Sequence, residues 1–227
     1  MANQQAVDFE KNVSRALDDA QLRKNFKFAM GNFILKRKAI FPNEGETEQL
    51  RDLGNAIKQR ALSRLPELLE QLEKNCTANG IRVHWAETTA EANRHVLDIM
   101  QAHNATLLVK GKSMVSEEMH LNKFLQGHGI EAMETDLGEF IVQLNNETPS
   151  HIIVPAIHKN KDQIAKILHE NIPDAPYTED VQELNAIARK TLREKFYKAE
   201  VGLSGVNLAV AETGTLCLVE NEGNGRM

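Results

Sequence analysis

Along the first eighty positions apolar residues return at every third or fourth place: Phe9, Val13 and Leu17, then Leu22, Phe26, Ala29, Phe33 and Ile34. That spacing is one face of a helix, predicted here from Phe9 to Phe41, where Pro42 and Gly45 end it. A second helical stretch opens near Glu46 and runs through Leu50, Leu53, Ile57, Leu62, Leu65, Leu69 and Leu72 toward Gly80. Pro66 inside it predicts a kink or a restart. Arg37, Lys38, Arg51, Lys58, Arg60 and Arg64 read as a solvated face. Helices this long before any strand predict an N-terminal helical extension over residues 1–80, an arm laid on the main domain or against a partner subunit.

At Ile81 the period changes. Ile81 to Ala86 reads as a strand, with Thr88 or Thr89 capping the helix that follows through Ala92, Val96, Ile99 and Met100. Thr106 to Lys110 is a short apolar run bounded by Gly111, which suits a strand buried on both faces. Ile130 to Glu134 and His151 to Pro155 read as two more, each followed by a helix. This alternation predicts a mainly parallel sheet with helices on its faces, an α/β domain over residues 81–227. After a helix from Thr178 to Ala199, Val206–Ala211 and Thr215–Glu220 read as a hairpin. The chain then enters Asn221 to Arg226, a glycine-rich loop. Such a loop normally delivers the chain to another element, so the reading expects these 227 residues to be the first part of a longer chain.

Composition narrows the class. Hydrophobic residues at 41% and charged residues at 26% are ordinary globular values. No apolar run approaches the ~20 residues of a membrane span, and the N-terminus lacks the pattern of a leader, so a cytoplasmic protein is expected. The net charge is −5, without a basic run long enough to track a phosphate backbone, which argues against nucleic acid. Only two cysteines are present, Cys76 and Cys217, far apart. They form neither a disulfide framework nor a CxxC knuckle.

Candidate chemistry gathers at loops. Between the Thr106 strand and a helix capped by Ser113 or Ser116, Lys110, Gly111, Lys112 and Ser113 bring backbone N–H groups, a positive helix end and two lysines to one point, which favours an anion unless the lysines are simply solvated and the glycine only turns the chain. It is no nucleotide P-loop, because Thr106 stands where GxxxxGK[ST] requires glycine. Glu212, Thr213, Gly214 and Thr215 make a polar turn, and Asn224 and Arg226 add an amide and a guanidinium just beyond. Together they could hold a small carboxylate or phosphate, or be no more than a turn and a solvated loop. The eight histidines show no HxxxH or HExxH spacing; His158 stands after a strand, where α/β proteins place ligands, or is an ordinary loop residue. No GxSxG, GxGxxG or Ser-His-Asp order is present.

The ordered blocks LRKNFKFAM, VHWAETTAEAN, LLVKGKSMVSEE, ETDLGEFIVQL, HIIVPAIHKN, NLAVAETGT and NEGNGR resemble the N-terminal part of the iron–sulfur subunits of the lactate-utilisation (LUD) family, over essentially the whole chain. The resemblance implies a three-layer α/β fold like that of the sugar-phosphate isomerase and CoA-transferase group. It also implies a role in oxidising L-lactate to pyruvate with partner subunits A and C. Members continue into a ferredoxin-like module whose cysteines carry [4Fe–4S] clusters; this sequence has no such cysteine run, so those clusters cannot be bound by it. Within that frame Lys112 and Arg226 would pair with the anion, and Glu212 is the available general base. A docking scaffold that binds no substrate, and an isomerase- or CoA-transferase-like enzyme, stand as alternatives.

Overall fold

A computed structural model describes residues 8–227. The start of the N-terminal extension, residues 1–7, including part of the stretch read as leaderless, lies outside the described residues. The first predicted helix is two, α1 (Phe9–Asp18) and α2 (Ala20–Ile40). Asp19 separates them because its carboxylate accepts from the Leu22 N–H at 2.8 Å and so caps α2. α3 (Glu44–Ser63) starts after Asn43, whose side chain accepts from the Glu46 N–H. α4 (Leu65–Ala78) restarts with Pro66 in its first turn, as its missing N–H permits. None of α1, α2 and α3 contains a buried residue. No helix among the described residues is long and apolar enough to cross a membrane.

The body begins with α5 (Thr89–Ala102), closed by a capping box between Thr88 and Glu91. Three strands follow: β1 (Leu107–Gly111), β2 (Glu131–Glu134) and β3 (Val201–Ser204), in the order β2-β1-β3 and all parallel. All five positions of β1 are buried, as a central parallel strand requires. α6 (Met114–Glu118) and α7 (Leu121–Gln126) connect β1 to β2. α8 (Leu137–Leu144), α9 (Lys161–Asn171) and α10 (Val181–Lys198) connect β2 to β3. One cluster joins Leu97 and Met100 of α5 and Leu121 and Leu125 of α7 to Leu108 and Ala132. A second joins Phe140, Leu168, Leu184, Ala188 and Leu192 of α8 to α10, with Met133 packed against it. Successive residues of β2 thus enter different clusters, the period of two that a strand imposes. β4 (Leu208–Val210) and β5 (Thr215–Cys217) form the predicted hairpin, antiparallel and separate from the sheet.

Two predicted strands are absent and one appears that was not predicted. Residues 81–86 form no ladder; the segment runs beside α4, where the Trp85 indole N–H donates to Glu73 at 3.0 Å. Residues 151–155 are bends, because the His151 ring accepts from the Ile153 and Val154 N–H groups and removes the donors a strand would use. Ile152 and Ile153 are accordingly exposed. β3 escaped notice because it is four residues long and carries Gly202, leaving little alternation to read. The helix predicted through Leu125 is interrupted at His120, which adopts a left-handed conformation at φ 53° between α6 and α7.

Candidate functional site

The carboxyl ends of the strands are crowded with charge. Register places Lys110 opposite Glu134, and Lys110, 1% exposed, donates to Glu117 at 2.9 Å and to Glu134. Asn122 donates to the same Glu134 oxygen at 2.7 Å. Burial opposes charge on Lys110, but Glu134 and Glu117 outweigh it and hold the ammonium's pKa above its ordinary value. Glu139 of α8 faces this group. Burial, then the neighbouring Glu134 and Asp136 carboxylates, push its pKa up to about 8, so it is mostly protonated at neutral pH. The lysine that sequence placed at an anion point is therefore enclosed by carboxylates.

Lys112 takes a left-handed conformation at φ 58°. Its N–H donates to Asp136 at 3.0 Å, and its ammonium donates to Asp136 and, at 2.9 Å, to Asn221. Glu222 lies 4.0 Å from the same ammonium and accepts from the Leu137 N–H at 3.0 Å. These bonds fold the glycine-rich loop over the strand ends. Ser113 accepts from the Ser116 N–H and caps α6, as expected. Gly111 has no room for a side chain: a Cβ there would sit 2.8 Å from the Thr135 hydroxyl oxygen. Asn224 is buried beside it, donating to that hydroxyl at 3.4 Å, with its Oδ1 lacking a partner among the described residues.

Beyond this loop opens a cleft of about 780 Å³, walled by the loop on one side and α10 on the other. Arg226 and Asn224 line it, as do Arg189 and Arg193, which the sequence reading passed over. The signal was available. Asn185, Arg189, Arg193 and Tyr197 recur at steps of four, so they share one helix stripe beside the apolar stripe Ala188, Leu192 and Phe196. Neither Arg189 nor Arg193 makes an ion pair among the described residues, and Arg226 reaches only Glu220, at 3.8 Å. Against three guanidiniums the lining carries one acidic side chain, Glu222. The arrangement suits an anion, which arginine grips through its planar fork.

The remaining predicted residues lie elsewhere. Glu212, Thr213, Gly214 and Thr215 form the hairpin turn on the C-terminal end of α4, where Asn75 donates to the Ala211 and Glu212 carbonyls and Asn79 to the Thr213 carbonyl. Gly214 has φ 68° and packs so closely on Asn75 that a Cβ would collide with its backbone. Glu212 is exposed. His158 pairs with Glu147 at 2.8 Å, beside Lys159, and its carbonyl accepts from Asn25 of α2 at 2.8 Å. It ties the arm to the body. Neither group lines the arginine cleft.

Comparison with known proteins agrees with the resemblance. The LUD domain model matches residues 69–227. The chain is 42% identical over 222 residues to the "Uncharacterized electron transport protein YkgF" of Escherichia coli (strain K12), covering 97% of this chain and 46% of that protein. It is 40% identical over 220 residues to "Lactate utilization protein B" of Bacillus subtilis (strain 168), covering 96% of this chain and 46% of that one. The chain thus spans about half the length of the curated relatives it matches. No solved structure matches. On the extent of these matches, the chain belongs to the LUD domain family.

Proposed function

We propose that the chain is the LUD portion of an electron-transport subunit serving the oxidation of L-lactate to pyruvate, and that the arginine cleft receives a small anionic ligand. The relatives' names support the lactate and electron-transport part. The observation that supports the ligand site is the convergence of Arg189, Arg193 and Arg226 on one cleft with a single acidic side chain. The reading includes subunits A and C as partners. It also includes the isomerase- and CoA-transferase-like layering. Relative to the sequence reading, the anion's partners become the cleft arginines, since Lys112 is already occupied by Asp136 and Asn221. Glu212 is not used.

The [4Fe–4S] clusters that the family implies do not fit the residues present. Cys76 is buried, with its thiol toward the Gly214 carbonyl at 3.6 Å, and Cys217 lies on β5. Two cysteines cannot supply a four-cysteine set, and no step is assigned through a cluster in this chain. Thermal unfolding of the full chain in L-lactate, pyruvate and inorganic phosphate tests the ligand site. One or more of these is expected to raise Tm, and the Arg193→Ala/Arg226→Ala variant is expected to lose the rise while unfolding normally alone. An undiminished rise in the variant overturns the assignment.

One observation favours the docking reading beside it. The arm exposes Phe28, Leu35 and Ile40 at 75%, 67% and 69% while burying no residue of α1–α3. Removal of residues 1–63, which leaves α4 and its bonds to the hairpin in place, is then expected to abolish capture of subunits A and C, and retained capture would sink that reading.

A further inference from the structure

Resting on the reading of the cleft as an anion site, we infer that its ligand is a nucleotide with two adjacent phosphates, larger than a monocarboxylate. A lactate ion has six non-hydrogen atoms and displaces only a few waters at ~30 Å³ each, which leaves most of the 780 Å³ unfilled. Clefts of roughly 300–1,000 Å³ hold ligands of nucleotide size.

The α10 stripe is ordered along its axis. Asn185, Arg189, Arg193 and Tyr197 stand one after another at four-residue steps, about 6 Å apart along the axis and ~18 Å from end to end. Two guanidiniums on successive turns, with Arg226 on the facing loop, can each take one of two linked phosphates. Each phosphate takes a planar fork. Three arginines against one acidic side chain, Glu222, give the lining the sign a diphosphate needs.

An aromatic ring stands beside the cations. The Arg193 guanidinium lies 5.9 Å from the centroid of Tyr197, which is 79% exposed. A planar base stacks on such a ring, whichever base it is. A bare phosphate has no planar face to stack on Tyr197, whose hydroxyl is all it could use. Asn185 at the other end of the stripe and Asn224 at the base of the cleft offer amides to the sugar or base. Since the chain has neither GxGxxG nor a P-loop, these phosphates are held by side chains.

Isothermal titration of the full chain with ADP, inorganic pyrophosphate, inorganic phosphate and L-lactate tests this. ADP is expected to bind at least tenfold more tightly than pyrophosphate. Tyr197→Ala is expected to weaken ADP about tenfold and leave pyrophosphate unchanged, whereas Arg193→Ala weakens both. Both side chains are exposed, and far-UV circular dichroism checks that the variants fold. If L-lactate or phosphate binds while ADP binds no better than pyrophosphate, or if Tyr197→Ala leaves ADP unaffected, the nucleotide inference fails and the small-anion reading stands. If none of the four binds, both fail.

Discussion

The arm and the body of this chain invert the usual distribution of polarity in opposite senses. In α1–α3 large apolar side chains stand in water: Phe9, Phe28, Leu35, Ile40, Leu50 and Leu62 are each more than half exposed. In the body, at the strand ends, charged side chains are enclosed: Lys110, Glu134, Asp136 and Glu139 are all buried. Each arrangement is costly for an isolated chain, the first through unburied apolar area and the second through desolvation. The difference teaches where each is answered. The body answers its charges internally, with Lys110 between two glutamates and Lys112 on Asp136. The arm has no such internal answer among the described residues, which is why a partner is the natural place to look.

The sharpest way to break the comparison is to open the internal pairing. Lys110→Met leaves Glu134 and Glu117 facing each other without a cation, and a buried pair broken on one side costs about 3–5 kcal/mol. Urea unfolding at pH 7 is expected to show a loss of that size. Adding Glu134→Leu should recover a large part of it, because two apolar groups pack where one orphaned charge could not. A single variant as stable as the parent would mean that the ion pair is not enclosed.

Glu139 gives a smaller effect with a defined pH window. Its folded pKa of about 8 lies above the ordinary 4.5, so between those values the folded chain holds a proton that the unfolded chain has released. Stability therefore falls as pH rises from about 4.5 to about 8 and levels off above. Glu139→Gln removes that fall. It is expected to match the parent near pH 5 and to exceed it by roughly 1–3 kcal/mol at pH 8.5. Parallel stability curves for the two proteins across this range would contradict the shift and its causes, burial first and the Glu134 and Asp136 carboxylates second.

How far these regions were legible in the sequence follows the same division. Period alone gave the arm, the β1 and β2 strands and the hairpin, because their spacings are local. It misread His151–Pro155, where a histidine ring takes the backbone donors that an apolar run appeared to offer a sheet. It missed β3, whose four residues include Gly202 and gain their meaning only from pairing with β1. At the candidate site, Lys110 and Lys112 were visible as cations, but of the groups that occupy them only Glu117 is near in sequence; Glu134, Asp136 and Asn221 come from 24 to 109 residues away. Arg189 and Arg193 went unremarked because the α10 helix was read for its apolar stripe. The four-residue repeat beside that stripe was equally local, and reading both faces of an amphipathic helix would have found it.

The smallest expected effect on stability belongs to the arm, and its smallness is the point. If the exposed side chains of α2 are free in the isolated protein, replacing Phe28, Leu35 and Ile40 with serine removes no buried area. Each change should alter unfolding by no more than about 0.5 kcal/mol. The same triple variant should lose capture of subunits A and C, since burying such side chains contributes roughly 1.5–3 kcal/mol apiece at an interface core. Unchanged stability with lost capture locates the arm's partner outside the chain. A stability loss well above 1 kcal/mol, or a change that grows with protein concentration, would show that the faces are already covered by a second copy in solution. In that case the contrast between arm and body becomes one between two modes of burial, within a chain and between chains.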